Sequence, residues 1–331
     1  MNKPKVLLLH TGGTLGMKGS PLEPDVFAMA LDKSVPEISE IAEVTTQIMC
    51  SLDSSDVGPA HWSRLAETIA EKREEYQGFV IVHGTDTMAY TASALSFALR
   101  GLDRPVVLTG AQRPLAFHRS DARRNLIDAV EVATRPIPEV GICFDGLLLR
   151  GCRTTKSNAH DYRGFESLGC EPLARLGVDV AIGDHVRRPQ EPFRCDPRFD
   201  DGVFVFTVTP GLRPSILETL VQSEEVRGVV LVAFGTGTVP GGGEPPLADV
   251  VARLVDRGVD VLVVTESFGE VNLGLYQNSR RLGEVGAISG GRMGMEAGLT
   301  KLMHALAIYN DREERHRFLI ADVAGELAQL S

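Results

Sequence analysis

Apolar residues in this chain fall in short unbroken runs rather than at alternating positions. Residues 6–9, 79–82, 106–108, 140–144, 229–233 and 261–264 are runs rich in leucine or β-branched residues. Such runs predict strands buried on both faces, as in a parallel sheet covered by helices on either side. Between them, helical patterning predicts helices over 62–73, 88–100 and 120–132, with Ser120 and Asp121 as N-terminal capping residues of the last. The fold class is therefore α/β, a doubly wound, mostly parallel sheet domain followed by a smaller α/β domain. The alternation weakens where proline and charge concentrate, around 185–212, which favours extended connectors. The expected division is an N-terminal domain over 1–190, a connector over 191–212 and a C-terminal domain over 213–331. The charged run from Asp311 to Arg317 reads as the solvated face of a C-terminal helix.

Composition narrows the class further. A chain of 331 residues with 43% hydrophobic and 24% charged residues can bury a core in each of two domains. A formal charge of −10 works against broad binding of a polyanion, so nucleic acid is not an expected partner. No basic start leads into an apolar stretch and cleavage site, and no apolar run reaches the roughly 18–20 residues that span a bilayer. A cytoplasmic protein with no membrane partner is expected. The five cysteines are odd in number, widely spaced and without a CxxC pair, and are read as reduced thiols.

Chemistry is expected where the strands end. The first run leads into Thr11-Gly-Gly-Thr14, the second into His83-Gly-Thr85-Asp86-Thr87, and the third into Thr109-Gly-Ala111-Gln112-Arg113-Pro114. In open α/β sheets the ligand crevice lies beyond the carboxyl ends of the strands, so these loops should line one site. Glycines beside threonines permit tight turns and bring backbone N–H groups close to a substrate oxygen. Nucleotide-binding glycine patterns, a G-x-S-x-G elbow and an H-E-x-x-H zinc helix are all missing. Threonine, aspartate and lysine chemistry remains, with no metal or cofactor required.

From Lys5 to about Ala307 the chain resembles the bacterial L-asparaginases, and most closely their cytoplasmic type I branch. The threonine loop Thr11–Thr14 and the run from Val82 to Tyr90 carry the resemblance, supported by 52–56, 108–115, 119–125 and Arg153-Thr-Thr-Lys156-Ser. The resemblance implies hydrolysis of L-asparagine to L-aspartate and ammonia, with L-glutamine a second substrate. Thr14 would attack the side-chain amide carbon and form an acyl-threonine ester that water then cleaves. Thr85, Asp86 and Lys156 correspond to the second catalytic cluster, where a lysine beside a carboxylate and a hydroxyl can relay a proton. Asp86 would also accept the substrate ammonium. Ser54 would bind the α-carboxylate with Ser55 beside it, and the carbonyl of Ala111 would face the leaving amide.

Taken singly, these residue types have structural roles as well. A threonine after glycine satisfies turns, Asp86 can cap a helix starting near Met88, Ser54 can cap one near Trp62, and an isolated lysine is commonly solvated. The matched context assigns Thr14 and Thr85 to chemistry, while His10 and His83, at strand ends, are read as hydrogen-bonded packing residues. One departure concerns the segment 17–27, where the family brings a tyrosine onto the nucleophile. Here the first tyrosine is Tyr76, and Glu23, Asp25 or Tyr276 is expected to substitute. Family members also complete sites between subunits, so a homodimer or homotetramer is expected, with Thr238 a candidate contributor. Two alternatives share the pocket: a non-hydrolytic amino-acid sensor, and the amidase subunit of a tRNA-dependent amidotransferase. The latter usually carries an extra N-terminal domain, for which a first strand at Lys5 leaves no room.

Overall fold

The computed structural model describes residues 3–17 and 34–328. Two compact units divide between Pro197 and Arg198. In the first unit eight strands form one sheet: β1 (Lys5–Gly12), β2 (Glu43–Leu52), β3 (Gly78–Val82), β4 (Val106–Thr109), β5 (Val140–Phe144), β6 (Leu147–Arg150), β7 (Ala174–Leu176) and β8 (Val180–Ile182). Their order is β8-β7-β6-β5-β4-β3-β1-β2. Pairing is parallel from β2 through β5 and antiparallel from β5 to β8.

The unbroken apolar runs have the expected cause. Val6, Leu8, Val80, Val82 and Val107 pack into one core with Leu126, Ala129 and Val130 of the Ala122–Val132 helix. The alternate residues Leu7, Leu9, Phe79 and Ile81 are buried as well, so neither face of the central strands meets water. The Met88–Ala98 helix is buried along almost its whole length, which explains its small and apolar composition and its lack of a polar face.

Three expectations need correction in detail. The helix expected to reach residue 100 stops at Ala98, and Leu99–Arg100 instead pairs with Arg194–Cys195. The 120–132 helix starts at Ala122. Ser120 Oγ accepts the Ala122 N–H at 3.0 Å, whereas the Asp121 carboxylate caps no main-chain N–H of its helix and accepts instead from the main chain of Gln112 and Arg113. The charged run near the C-terminus lies on the Arg312–Ile320 helix, but Arg315 is buried and its Nε donates to the buried Asp260 carboxylate at 2.5 Å. A guanidinium placed against a matching carboxylate offsets the desolvation that keeps other members of the run at the surface.

The second unit contains a four-stranded sheet of β9 (Val203–Thr207), β10 (Gly228–Ala233), β11 (Asp260–Thr265) and β12 (Ile288–Ser289), parallel throughout and in that order. Its core joins Val229, Leu231, Val261 and Val263 to Leu247, Val250 and Leu254 of the Leu247–Asp256 helix. β9 falls within the stretch read above as a connector. It is an edge strand beside β10, half-exposed, and its short apolar run Val203–Phe206 stands among the prolines and charges that favoured a connector. Among the described residues no helix is long and apolar enough to cross a membrane.

Candidate active site

β1, β3 and β4 are neighbours in the sheet and run parallel, so the three glycine-containing loops leave it side by side. The loops are in contact through glycines. Gly13 adopts a φ of +89°, and a Cβ on it would lie 2.4 Å from the Gly84 nitrogen. A Cβ on Gly84 would lie 2.6 Å from Ser54 Cβ and 2.7 Å from Ser54 Oγ. A Cβ on Gly110 would lie 2.3 Å from the His83 carbonyl oxygen. Only bare backbone fits at these positions, and the consequence is convergence. Thr14 follows Gly13, Thr85 follows Gly84, Ala111 follows Gly110, and Ser54 touches the middle loop.

Thr14 opens a short 3₁₀ turn, Thr14–Gly16, and is half-buried. The neighbouring Leu15 carbonyl accepts the Leu115 N–H at 3.2 Å, joining the first loop to the chain beyond the third. Thr85 is buried, and Lys156 Nζ donates to its Oγ1 at 2.7 Å and to Asp86 Oδ1 at 2.5 Å. The lysine arrives from a separate element, a two-stranded antiparallel ribbon of Thr154–Lys156 and Phe165–Ser167. Its side chain is 17% exposed against 67% for Asp86, so a largely sheltered ammonium meets a carboxylate open to solvent. The trio expected from sequence is assembled by hydrogen bonds.

Ser54 is buried and does not cap the helix that holds Trp62, which begins at Pro59 behind Gly58. Its carbonyl accepts the Thr87 Oγ1 hydroxyl at 2.5 Å, tying it to the Thr85 loop. Ser55 is exposed, and its N–H and hydroxyl both donate to Asp53 Oδ1, at 2.9 and 2.8 Å. Ser54, not Ser55, therefore abuts the glycine junction. Ala111 is buried at that junction, with the Gly110 carbonyl before it accepting from Asn125 Nδ2 at 3.0 Å.

The two histidines are built into the loop framework. His83 is buried, its Nδ1 lies 2.7 Å from the Gly84 carbonyl and its Nε2 2.9 Å from Thr91 Oγ1, and loss of hydration pushes its pKa down to about 4. His10 is buried too, its Nδ1 accepts the Gly12 N–H at 3.2 Å, and burial likewise lowers its pKa.

Glu23 and Asp25, with the rest of 18–33, lie outside the described residues. Tyr276 and Thr238 belong to the second unit, where both line a cleft of about 520 Å³ with Phe234, Thr236 and Asn278. Among the described residues no cluster of histidine, cysteine or acidic side chains is arranged to hold a metal ion. None of the five cysteines forms a disulfide.

Sequence reasoning missed the supports of the third loop. Asp121 accepts the main-chain N–H groups of Gln112 and Arg113, and Asn125 bonds both Asp121 and the Gly110 carbonyl. The spacing of Asp121 and Asn125, one turn apart on a helix start beside the loop, was the available signal.

Comparison with known proteins gives the family. Residues 5–188 match the family model for the asparaginase N-terminal region, and residues 202–319 that for the glutaminase/asparaginase C-terminal domain. L-asparaginase 1 of Escherichia coli is 35% identical over 99% of both chains. The crystal structure of L-asparaginase I from Vibrio cholerae superposes with a TM-score of 0.89 at 35% identity, covering 98% of this chain and 99% of that one. A glutamyl-tRNA(Gln) amidotransferase subunit from Pyrococcus abyssi is 33% identical over 98% of this chain and 77% of its own length. The chain belongs to the L-asparaginase family, on its type I branch.

Proposed function

We propose that this protein is an amidohydrolase that converts L-asparagine to L-aspartate and ammonia, with Thr14 as nucleophile. The observation that carries the reading is the Lys156–Thr85–Asp86 trio, held at 2.7 and 2.5 Å on a loop whose Gly84 abuts Gly13, the residue before Thr14. Thr14 Oγ1 attacks the amide carbon, a new C–O bond forms, and the C–N bond breaks as the nitrogen takes a proton and leaves as ammonia. Water then adds to the threonyl ester and frees the acid. The Thr85 hydroxyl and Lys156 ammonium move protons, Asp86 accepts the substrate α-ammonium, and Ser54 meets the α-carboxylate. The third loop presents the Ala111 carbonyl to the leaving amide. No step calls for a metal or cofactor, and the reading includes a cytoplasmic setting.

Asparagine is favoured over glutamine, although one methylene discriminates by only about 1–3 kcal/mol in such a pocket. The test is ammonia release from each amide by the purified protein and by Thr14→Ala. Release that falls by about 10³-fold or more in the variant supports the reading. Equal rates in the two proteins, or no release by either, overturn it.

A second reading, the amidase subunit of a tRNA-dependent amidotransferase, is favoured by the 33% identity to the Pyrococcus abyssi relative. It predicts ammonia release that is slow alone and rises when charged tRNA and a partner protein are added. Fast release in their absence decides for the hydrolase.

A further inference from the structure

Lys156 does not reach its partners from the sheet that carries Thr14 and Thr85. It is the last residue of its short strand and pairs with Phe165 across the ribbon. Beyond it the chain makes an exposed excursion and returns at Gly164, whose carbonyl accepts the N–H groups of Ser157 and Asn158 at 3.0 and 3.3 Å. A long flexible side chain on such a ribbon holds its ammonium in place only as well as the ribbon end is held.

Gln112 holds that end. Its side-chain nitrogen donates to the Asn158 carbonyl at 3.0 Å and to the Asp161 carbonyl at 2.9 Å, so both amide hydrogens are used on the excursion. Its own main-chain N–H is fixed by the Asp121 carboxylate oxygens at 2.9 and 3.1 Å, next to the Arg113 N–H at 3.1 Å. Asp121 in turn receives Asn125 Nδ2 at 3.1 Å. The chain of contacts runs from the start of the Ala122–Val132 helix through Gln112 to the turn that follows Lys156. Gly164 makes room for it, since a Cβ there would lie 2.7 Å from Gln112 Nε2. A two-hydrogen donor is required, because one side chain must meet two main-chain carbonyls at once.

We propose that Gln112 is a positioning residue that fixes the Lys156 ribbon against the third loop, and so sets the ammonium of Lys156 on Thr85 and Asp86. This rests on the reading of Lys156 as a catalytic residue. It adds a function for Gln112 that is distinct from substrate contact, and makes Gly164 a steric partner of that function.

The test uses the full chain and ammonia release from L-asparagine, with kcat, KM and melting temperature measured for Gln112→Glu, Gln112→Ala, Gly164→Ala and the Gln112→Ala/Gly164→Ala pair. Gln112→Glu keeps the shape and removes both donors, so it is expected to lower kcat about 10- to 100-fold with KM within about threefold, and Gln112→Ala to do the same. Gly164→Ala displaces the Gln112 amide and is expected to lower kcat similarly. In the double variant the new Cβ finds space, so the loss matches that of Gln112→Ala alone instead of the product of the two. Unchanged kcat in both Gln112 variants overturns the proposal. So does a rise in KM alone, which would make Gln112 a substrate contact. Multiplying effects in the pair, or losses that only track melting temperature, overturn it as well. An unsubstituted protein that releases no ammonia overturns the hydrolase reading and this one together, whereas full-rate Gln112 variants overturn only this one.

Discussion

At the scale of single residues, glycines and a buried histidine determine what the loops can do. Gly13, Gly84 and Gly110 were legible in the sequence as turn formers, but their use as contact points between loops was not, because a contact depends on which backbone lies opposite. His83 shows the same limit. Its place at a strand end suggested packing, and the structure adds that both ring nitrogens are engaged and that burial lowers its pKa from 6.5 to about 4. Between those two values the unfolded chain binds a proton that the folded chain excludes. Stability from this group is therefore fully present above pH 6.5 and is lost as pH falls toward 4. At about pH 4.5 the loss should be about 2 kcal/mol relative to neutral pH. Urea unfolding at both pH values should show the stability difference between the native protein and His83→Gln narrowing by that amount on acidification; a constant difference would exclude the effect.

At the scale of elements, inner strands announce themselves more plainly than edges. β1, β3, β4 and β5 were readable as unbroken apolar runs because both of their faces are covered. β2 and β9 have one neighbour each and mixed burial; β2 carries no such run, whereas β9 carries the apolar run Val203–Phe206 inside a stretch whose flanking prolines and charges read as a connector. Helix ends mislead where a side chain serves a different element. Asp121 sits at a capping position and spends its carboxylate on the third loop. Lys301 gives the clearest stability consequence. On the Met295–Ile308 helix it is fully buried, and its Nζ donates to the carbonyls of Leu319 and Ala321 and to Glu326 Oε1, at 3.0, 2.6 and 2.5 Å. Glu326 also accepts the Val323 and Ala324 N–H groups, so this ion pair closes the end of the described chain onto the helix. Lys301→Met leaves a buried carboxylate without its cation and should cost about 3–5 kcal/mol in denaturant unfolding, with Lys301→Met/Glu326→Gln recovering part of it. An effect below about 1 kcal/mol would place the pair among interactions of surface strength.

At the scale of the whole molecule, two units with separate cores account for the length and for the loss of pattern between them. The net charge of −10 is spread over a chain with many local ion pairs, such as Arg73 with Asp103 and Arg123 with Glu37. The family resemblance leads to the expectation of a homodimer or homotetramer. The second unit exposes Phe268, Leu275 and Tyr276 at 65, 54 and 55%, an amount of apolar side chain consistent with association. Sedimentation at assay concentration should report a species of two or four chains. A monomer with full activity on asparagine would refute the expectation.

The sequence by itself determined the α/β class, the inner strands and the identity of the loops that bear threonine, because burial on both faces and tight turns each leave a local mark on composition. Lys156 was recognisable only through its motif, since nothing local separates a sheltered lysine from a solvated one. Tertiary structure alone decided that Gly84 lies between Gly13 and Ser54, that Asp121 accepts from the main chain of the third loop, and that Gln112 bridges to the chain after Lys156. Most of those contacts join residues far apart along the chain, and their geometry follows from strand order and register, which no single segment encodes.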